Sequence, residues 1–363
     1  MGAEFIHGEE NEIWELLPKV GLHAVRVTDQ HWRFENGALI EEKHFWDKIA
    51  RVSEQVDPGR DETFSSFLGR NTGFNEGTKT LVTDYVEGFN AADKDRISTK
   101  ALTEGQNNKA FRIATGYSAL VDWFVSELTG NKAATLHLGK IAKCVLWKRG
   151  QVEIDAMTQE GQQTFRAAKA IVTLPPSVLS SEGAGSLQFV PGLPAATTRA
   201  IAQLPVGDVV RILLKFRTKF WPMGDGFVHA PGTFLPVWWC VGANKTWTGW
   251  TGGPRAKRIA QLDDATIFFQ ATRVLCKFFD VNEQEIKENC EGRHYHDWTG
   301  DPFSCGAYSY LAAGALDARR DLAQPVDGTL FFAGEATASP GKEGTVHGAI
   351  ASGLRVADEA SRT

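Results

Sequence analysis

Apolar positions along this chain follow two periods, and the dominant period changes from segment to segment. Near the start Ile13, Leu16, Leu17 and Val20 recur at helical spacing, and Pro18 predicts that this helix ends early or kinks. A hairpin is then expected, from His23–Val27 through Trp32 and Phe34, with Asn36-Gly37 as a type I′ turn signal. From about 41 to 104 the chain is polar, charged and helical in pattern, with Phe45, Ile49 and Val52 near one face and Asp57-Pro58-Gly59 as a break. From Phe111 the character changes. Tyr117, Leu120, Val121, Phe124, Val125 and Leu128 trace one amphipathic helix. Three strands follow, over 140–147, 151–157 and 163–174, with Arg149-Gly150 and Glu160-Gly161 as turns. They read as an antiparallel meander leading back to a buried strand, closed by Pro175-Pro176. Strands and helices return between about 201 and 305, including 209–216 and the Trp238-Trp239 region.

The carboxy-terminal stretch is the most informative. An apolar run, Leu330-Phe331-Phe332, ends in Ala333-Gly334-Glu335; small residues follow, and a helix begins near Val346. In it Val346, Ala349, Ile350, Gly353, Leu354 and Ala357 predict one apolar face. Such a helix start offers free N–H groups and a positive dipole end to an anionic cofactor edge. A buried strand–loop–helix holding no ligand satisfies the same pattern.

Composition narrows the function classes. At 363 residues the chain is long enough for two domains. Its net charge of −5 argues against broad attraction to nucleic acid or acidic membranes. Eleven tryptophans point to aromatic-rich cores or a pocket. Five scattered cysteines, without a Cys-x-x-Cys pair, fit reduced thiols in a cytoplasm better than disulfides or a zinc site. No signal peptide is visible, and no run of eighteen apolar residues suggests a membrane span. His7, His296 and His347 lack metal-ligand spacing with a carboxylate and read as structural.

The wording of several segments goes further. Leu330 to Thr337 with Gly344 to Ile350 resembles the C-terminal FAD-binding signature of the flavin-containing amine oxidase family, which includes monoamine oxidases, polyamine oxidases and lysine-specific histone demethylases. Gly2-Ala3-Glu4-Phe5-Ile6-His7-Gly8, Phe111 to Tyr117, Ile171 to Pro176, Phe189 to Pro194, Phe220-Trp221, Trp250 to Gly253 and Asp301-Pro302 with Gly306 to Ser309 resemble family segments in the same order. The resemblance implies a mixed α/β (α+β) fold with two interleaved domains: an FAD-binding domain at 1–25, 106–200 and 306–363, and a sheet-plus-helices substrate domain at 26–105 and 201–305. Family members open with a strand, a Gly-x-Gly-x-x-Gly turn and a helix that hold the FAD pyrophosphate. That fingerprint is absent here. Roughly fifty residues of the pattern, on the scale of a βαβ unit, are expected to be missing. The alternatives are a fragment, a nucleotide-binding segment or chain supplied separately, or a cofactor-free remnant that acts by binding a partner.

Site roles follow from the same resemblance. Tyr308 matches the tyrosine lining an aromatic cage beside the flavin, where a ring face favours an amine; a half-buried tyrosine with a satisfied hydroxyl is the plainer use. Thr345 takes the second cage position, small as in the histone demethylases. Ala307 stands where monoamine oxidases carry the cysteine that links flavin, so FAD should be non-covalent. Trp298 resembles a tryptophan near the flavin or serves as core filler. Arg211 falls where many members place a lysine bridging to flavin N5. Being always protonated, it would favour an anionic reduced flavin, bind a substrate carboxylate bidentately, or sit in a strand ion pair. Gly334 and Glu335 match the pair beside the ribityl and pyrophosphate, Val346 N–H the donor to the flavin pyrimidine, and Ile141 the strand residue at adenine. Glu4 is assigned to the cofactor by neighbourhood alone. The implied reaction oxidises the C–N bond of an amine or amino-acid-like substrate, with O2 as final acceptor and no metal.

Overall fold

The computed structural model of the chain describes residues 2–102, 109–240 and 245–362. It is a mixed α/β fold that divides into two compact units.

One unit combines Val27–Glu104 with Gly207–Asp301. Its seven-stranded sheet runs, edge to edge, Cys290–Tyr295, Val209–Phe216, Thr246–Gly252, Val237–Cys240, Gly226–His229, His31–Glu35 and Ala38–Glu41. The hairpin between the last two turns at Asn36 (φ 52°) and Gly37 (φ 79°), both left-handed as a type I′ turn requires. Val210, Ile212, Leu214 and Phe216 alternate inward on one strand, as period two demands, and pack with Trp238, Trp247, Ile267, Leu275 and Phe278. Helix Glu76–Asn90 approaches strand Thr246–Gly252, where Trp250 Nε1 donates to the Gly88 carbonyl at 2.9 Å. A Cβ on Gly252 would lie 2.4 Å from the Glu87 carbonyl oxygen, so only glycine allows this approach.

The other unit combines Gly2–Arg26, Gly105–Val206 and Pro302–Thr363. Helix Glu12–Val20 does not end early at Pro18: the proline sits inside its last turn, Ile13 and Leu17 are buried, and Gly21 (φ 71°) caps it. The third expected strand, 163–174, is two strands. Gly161–Ala167 ends the antiparallel meander with Ile141–Lys148 and Gln151–Thr158, whereas Ala170–Val172 pairs in parallel with Leu330–Phe332 in a sheet of its own. One continuous apolar-rich run masked the change of partner.

Two helical faces also differ from expectation. Of the predicted stripe on helix Tyr117–Gly130 only Leu120 is buried; Val121, Phe124, Val125 and Leu128 face outward. In the C-terminal helix Val346–Arg362 the buried residues are His347, Gly348, Ser352 and Val356, and Leu354 is exposed. Small and polar residues allow the closest approach there: Ser352 Oγ accepts the Gly334 N–H at 2.8 Å and donates to the Ala349 carbonyl at 2.8 Å.

Candidate functional site

The strand Leu330–Phe332 is fully buried and delivers the chain into Gly334, whose φ of 120° favours glycine, and then into Glu335. The Glu335 carboxylate accepts the Ser309 N–H at 2.9 Å, the Ser309 hydroxyl at 2.8 Å and the Gly344 N–H at 2.8 Å. Burial holds its pKa above the ordinary carboxylate range, although the Ser309 and Gly344 donors and Arg319 pull the other way. One side chain therefore fastens two segments, the turn that ends at Ser309 and the loop that ends at Thr345.

Tyr308 rides on the first segment. The turn into it passes through Cys305 (φ 51°) and Gly306 (φ 137°), and the residues after it are pinned by the Val206–Ser309 bridge and by Tyr310 N–H on the Pro205 carbonyl at 3.0 Å. The second segment lies against its ring: a Cβ on Gly344 would come within 3.0 Å of Tyr308 Cδ2. Burial, and then the Glu335 charge, raise the phenol well above its usual range, so Tyr308 stays neutral.

Thr345 begins the C-terminal helix. Its hydroxyl accepts the Gly348 N–H at 3.0 Å and donates to the Lys342 carbonyl at 2.5 Å, which is an N-cap arrangement. The hydroxyl is spent on the cap. The first N–H groups of the helix, at Val346 and His347, precede any intrahelical acceptor. Below the loop Lys342 pairs with Glu12, and His7 is depressed to about 4 by burial and by His347. Among the described residues no group of three His, Cys, Asp or Glu side chains is disposed to hold a metal. A cavity of about 110 Å³ lies between Val172–Pro176, Ala307, Tyr308 and Phe332–Thr337. Pockets that enclose a whole ligand run to roughly 300–1,000 Å³, so this one is too small for that.

Tyr308, Gly334, Glu335, Thr345 and Val346 are thus gathered in one loop cluster. Ile141 opens the meander strand opposite Met157, and Glu4 is engaged by the Arg112 guanidinium at 3.0 Å. Arg211 and Trp298 belong to the other unit. Trp298 meets His296 edge-on with ring centroids 4.3 Å apart. Arg211 is buried on the sheet face opposite the core, opposite Trp250 and 5.8 Å from the Trp239 ring centroid.

Sequence reasoning singled out only Arg211 of that face. Trp250, Trp239 and Phe227 follow one another across three strands at 5.9 and 6.2 Å, and Phe227 stacks near His31 at 5.3 Å. His31 Nδ1 lies 2.9 Å from His229 Nε2, His31 Nε2 lies 2.8 Å from Asp29, and Phe45 stacks on His229 at 4.1 Å. Burial depresses His229 to about 3. Alternation along strands 237–240 and 246–252 carried the signal, but the core-facing tryptophans on the same strands hid it.

A family model described as flavin containing amine oxidoreductase matches residues 1–361. The chain belongs to that family. Polyamine oxidase 3 of Oryza sativa subsp. japonica is 27% identical over 410 residues, covering 99% of this chain and 78% of the relative. Lysine-specific histone demethylase 2 of Homo sapiens is 24% identical over 370 residues, covering 95% of this chain and 43% of the relative. Among solved structures, cyclohexylamine oxidase from Brevibacterium oxydans IH-35A is similar at a TM-score of 0.79 and 18% identity, covering 99% of this chain and 87% of that one. Putrescine oxidase bound to putrescine is similar at 0.79 and 15% identity, covering 100% and 88%. At these identities the two structures establish the fold alone.

The family chemistry is flavin-dependent amine oxidation, and FAD is the cofactor it implies. The chain fits the flavin half of that cofactor. A helix start leaves its first N–H groups without intrahelical acceptors, Gly334 leaves its surroundings open (a Cβ there would meet nothing closer than 3.8 Å), and the small Ala307 lines the cavity. For the dinucleotide half, the 363 residues contain no Gly-x-Gly-x-x-Gly turn between a strand and a helix.

Proposed function

We propose that this chain is the flavin-cradling and substrate-shaping body of a non-covalent FAD-dependent amine oxidase acting on a small amine or amino-acid-like substrate. FAD, when bound, would supply the oxidising power for the amine, with O2 as the final acceptor giving hydrogen peroxide. The unit carrying Glu335 is read as the FAD-binding domain, and the unit carrying Arg211 as the substrate domain. The observation that carries the reading is the Glu335 carboxylate, which brings Tyr308 and the helix start at Val346 into one cluster.

Each residue then has a task. Tyr308 offers a neutral aromatic wall, whose face attracts an amine and whose hydroxyl does not compete as a base. Val346 N–H would hold the flavin, with Gly334 and Glu335 beside it. Ala307 has no nucleophile for a covalent link. Thr345, consumed by its cap, shapes the second wall through its methyl group alone. Arg211, braced over Trp239, keeps a permanent positive charge that favours an anionic partner. Glu4 and Ile141 are assigned to the cofactor side of their unit, and Trp298 belongs to the substrate unit, edge-on to His296. Five free cysteines fit a cytoplasmic setting, and no helix among the described residues is long and apolar enough to cross a membrane.

The test is to load the chain with FAD in the presence of a nucleotide-binding segment and follow flavin absorbance and amine-dependent peroxide release over a panel of amines and amino acids. Bound flavin that bleaches with an amine under nitrogen supports the reading. A protein that stays colourless sinks it.

A further inference from the structure

Arg319 lies on the short helix Ala318–Leu322 and is 6% exposed, a burial that an arginine reaches only when its charge is compensated. Its Nη1 pairs with Glu343 Oε1 at 3.2 Å. Nε and Nη2 meet no acceptor among the described residues, and Glu343 Oε2 meets no donor. The compensation therefore does not come from hydrogen bonds alone. A second carboxylate supplies the rest: the Arg319 charge pulls the Glu335 carboxyl down, against the opposing effect of burial. One buried cation serves two carboxylates of the same unit.

Those carboxylates hold adjacent residues of one loop. Glu335 Oε2 accepts the Gly344 N–H, while Glu343, the residue before it, is tied to Arg319. Thr345, the residue after it, caps the C-terminal helix. Ionised, Glu335 is acceptor only, which suits its three donors, the N–H and O–H of Ser309 and the N–H of Gly344. A proton on Oε2, donated toward the Ser309 oxygen, would turn the Gly344 bond from charge-assisted to neutral and roughly halve its strength. The other charges of the neighbouring segments are engaged elsewhere. Arg355 of the C-terminal helix pairs with Glu359 at 2.8 Å, Lys342 of the loop pairs with Glu12, burial depresses His347, and Tyr308 is neutral. Arg319 is the cation whose charge acts on Glu335.

We propose that Arg319 is a positioning residue of the Glu335 cluster: its guanidinium keeps Glu335 ionised and holds Glu343, and so fixes Gly344 and the start of the C-terminal helix. The consequence for flavin rests on the proposed function; the effect on Glu335 does not.

The experiment compares the full chain, carrying isotope-labelled glutamate, with Arg319→Met, Arg319→Lys and Glu343→Gln. Infrared difference spectra of variant minus parent report protonated glutamate and cancel glutamates common to both, including the buried Glu87. FAD is then titrated into the same samples and followed by flavin fluorescence. Arg319→Met removes the charge, so it should show a new protonated-glutamate band and bind FAD about tenfold or more weakly. Arg319→Lys keeps the charge and should suppress the band and restore the affinity. Glu343→Gln should show no band and a smaller loss of affinity, because the loop loses one tie while Glu335 stays ionised. A role in packing alone would lower the urea midpoint of Arg319→Met without the band. Absence of the band in Arg319→Met, or an equal band in Arg319→Lys, overturns the proposal. If Arg319→Met does not fold, Glu343→Gln decides, since a glutamate band in that variant contradicts control by Arg319. A parent chain that takes up no FAD, while the band still follows the charge at 319, upholds the role of Arg319 and sinks the flavin reading.

Discussion

Two glycines of one helix provide a test with opposite signs. Replacing glycine by alanine inside a helix ordinarily stabilises by about 0.5–1 kcal/mol, because alanine loses less backbone entropy on folding. At Gly353 a Cβ would meet nothing within 4 Å, so Gly353→Ala should realise that gain. At Gly348 the same atom would stand 2.0 Å from the Lys342 carbonyl oxygen and 3.0 Å from Thr345 Oγ1. The clash is with backbone, which must move by more than an ångström. Overpacking of this kind costs about 1–3 kcal/mol, and moving Thr345 puts at risk a cap that contributes about 1 kcal/mol. Clash and cap loss exceed the propensity gain, so Gly348→Ala should destabilise, and the two variants should differ by about 2–4 kcal/mol.

Urea unfolding of the full chain followed by tryptophan fluorescence measures the gap. Flavin retention adds a second readout, since displacing Lys342–Thr345 also moves Gly344 from the Tyr308 ring and turns the Val346 N–H. Only Gly348→Ala should lose flavin. If both substitutions stabilise equally, the loop does not lie on the helix start as described, and the cradle argument fails with it.

Three further outcomes are expected. Tyr308→Phe should keep most activity, because the ring face remains, whereas Tyr308→Ala should lower kcat/KM about 5–30-fold, the equivalent of about 1–2 kcal/mol of cation–π attraction; equal effects would assign the role to the hydroxyl. Burial depresses His229 to about 3, so the unfolded chain takes up that proton first. The stability it contributes is present above about pH 6.5 and fades as pH falls toward 3, by up to about 2 kcal/mol at pH 5; His229→Gln should flatten that limb in urea titrations at pH 7 and 5. Acid precipitation of the flavin-loaded protein should leave the flavin in the supernatant, since Ala307 offers no thiol, and yellow pellets would contradict a non-covalent cofactor.

Local chemistry was the most legible part of the sequence. Asn36-Gly37 demanded a left-handed turn and forms one. Arg149-Gly150 and Glu160-Gly161 marked the meander corners, and the apolar run at 209–216 was legible as a strand. The cluster at Glu335 was legible as a motif, but its mechanics were not: that one carboxylate would bind Ser309 and Gly344 together depends on partners 26 and 9 residues away, which no local period encodes. The Arg211–Trp239–Trp250 face escaped for the same reason, because its residues come from different strands. A further expectation, helical pattern continuing to residue 104, falls at its end outside the described residues.

The departures share a location. Periodicity reports which face of an element repels water, and says nothing of what removes the water. Val121, Phe124, Val125 and Leu128 satisfy the amphipathic pattern fully and are nevertheless bare, and Leu354 repeats this on the C-terminal helix at 63% exposure. The run 163–174 breaks into two strands where Ala170–Val172 leaves the meander for a parallel partner, and that strand's other edge is open. Random errors of pattern reading would scatter between both units. These three fall in the unit that holds Glu335. The expected and observed faces differ for one physical reason: the apolar period marks a face, and no element among the described residues covers that face here.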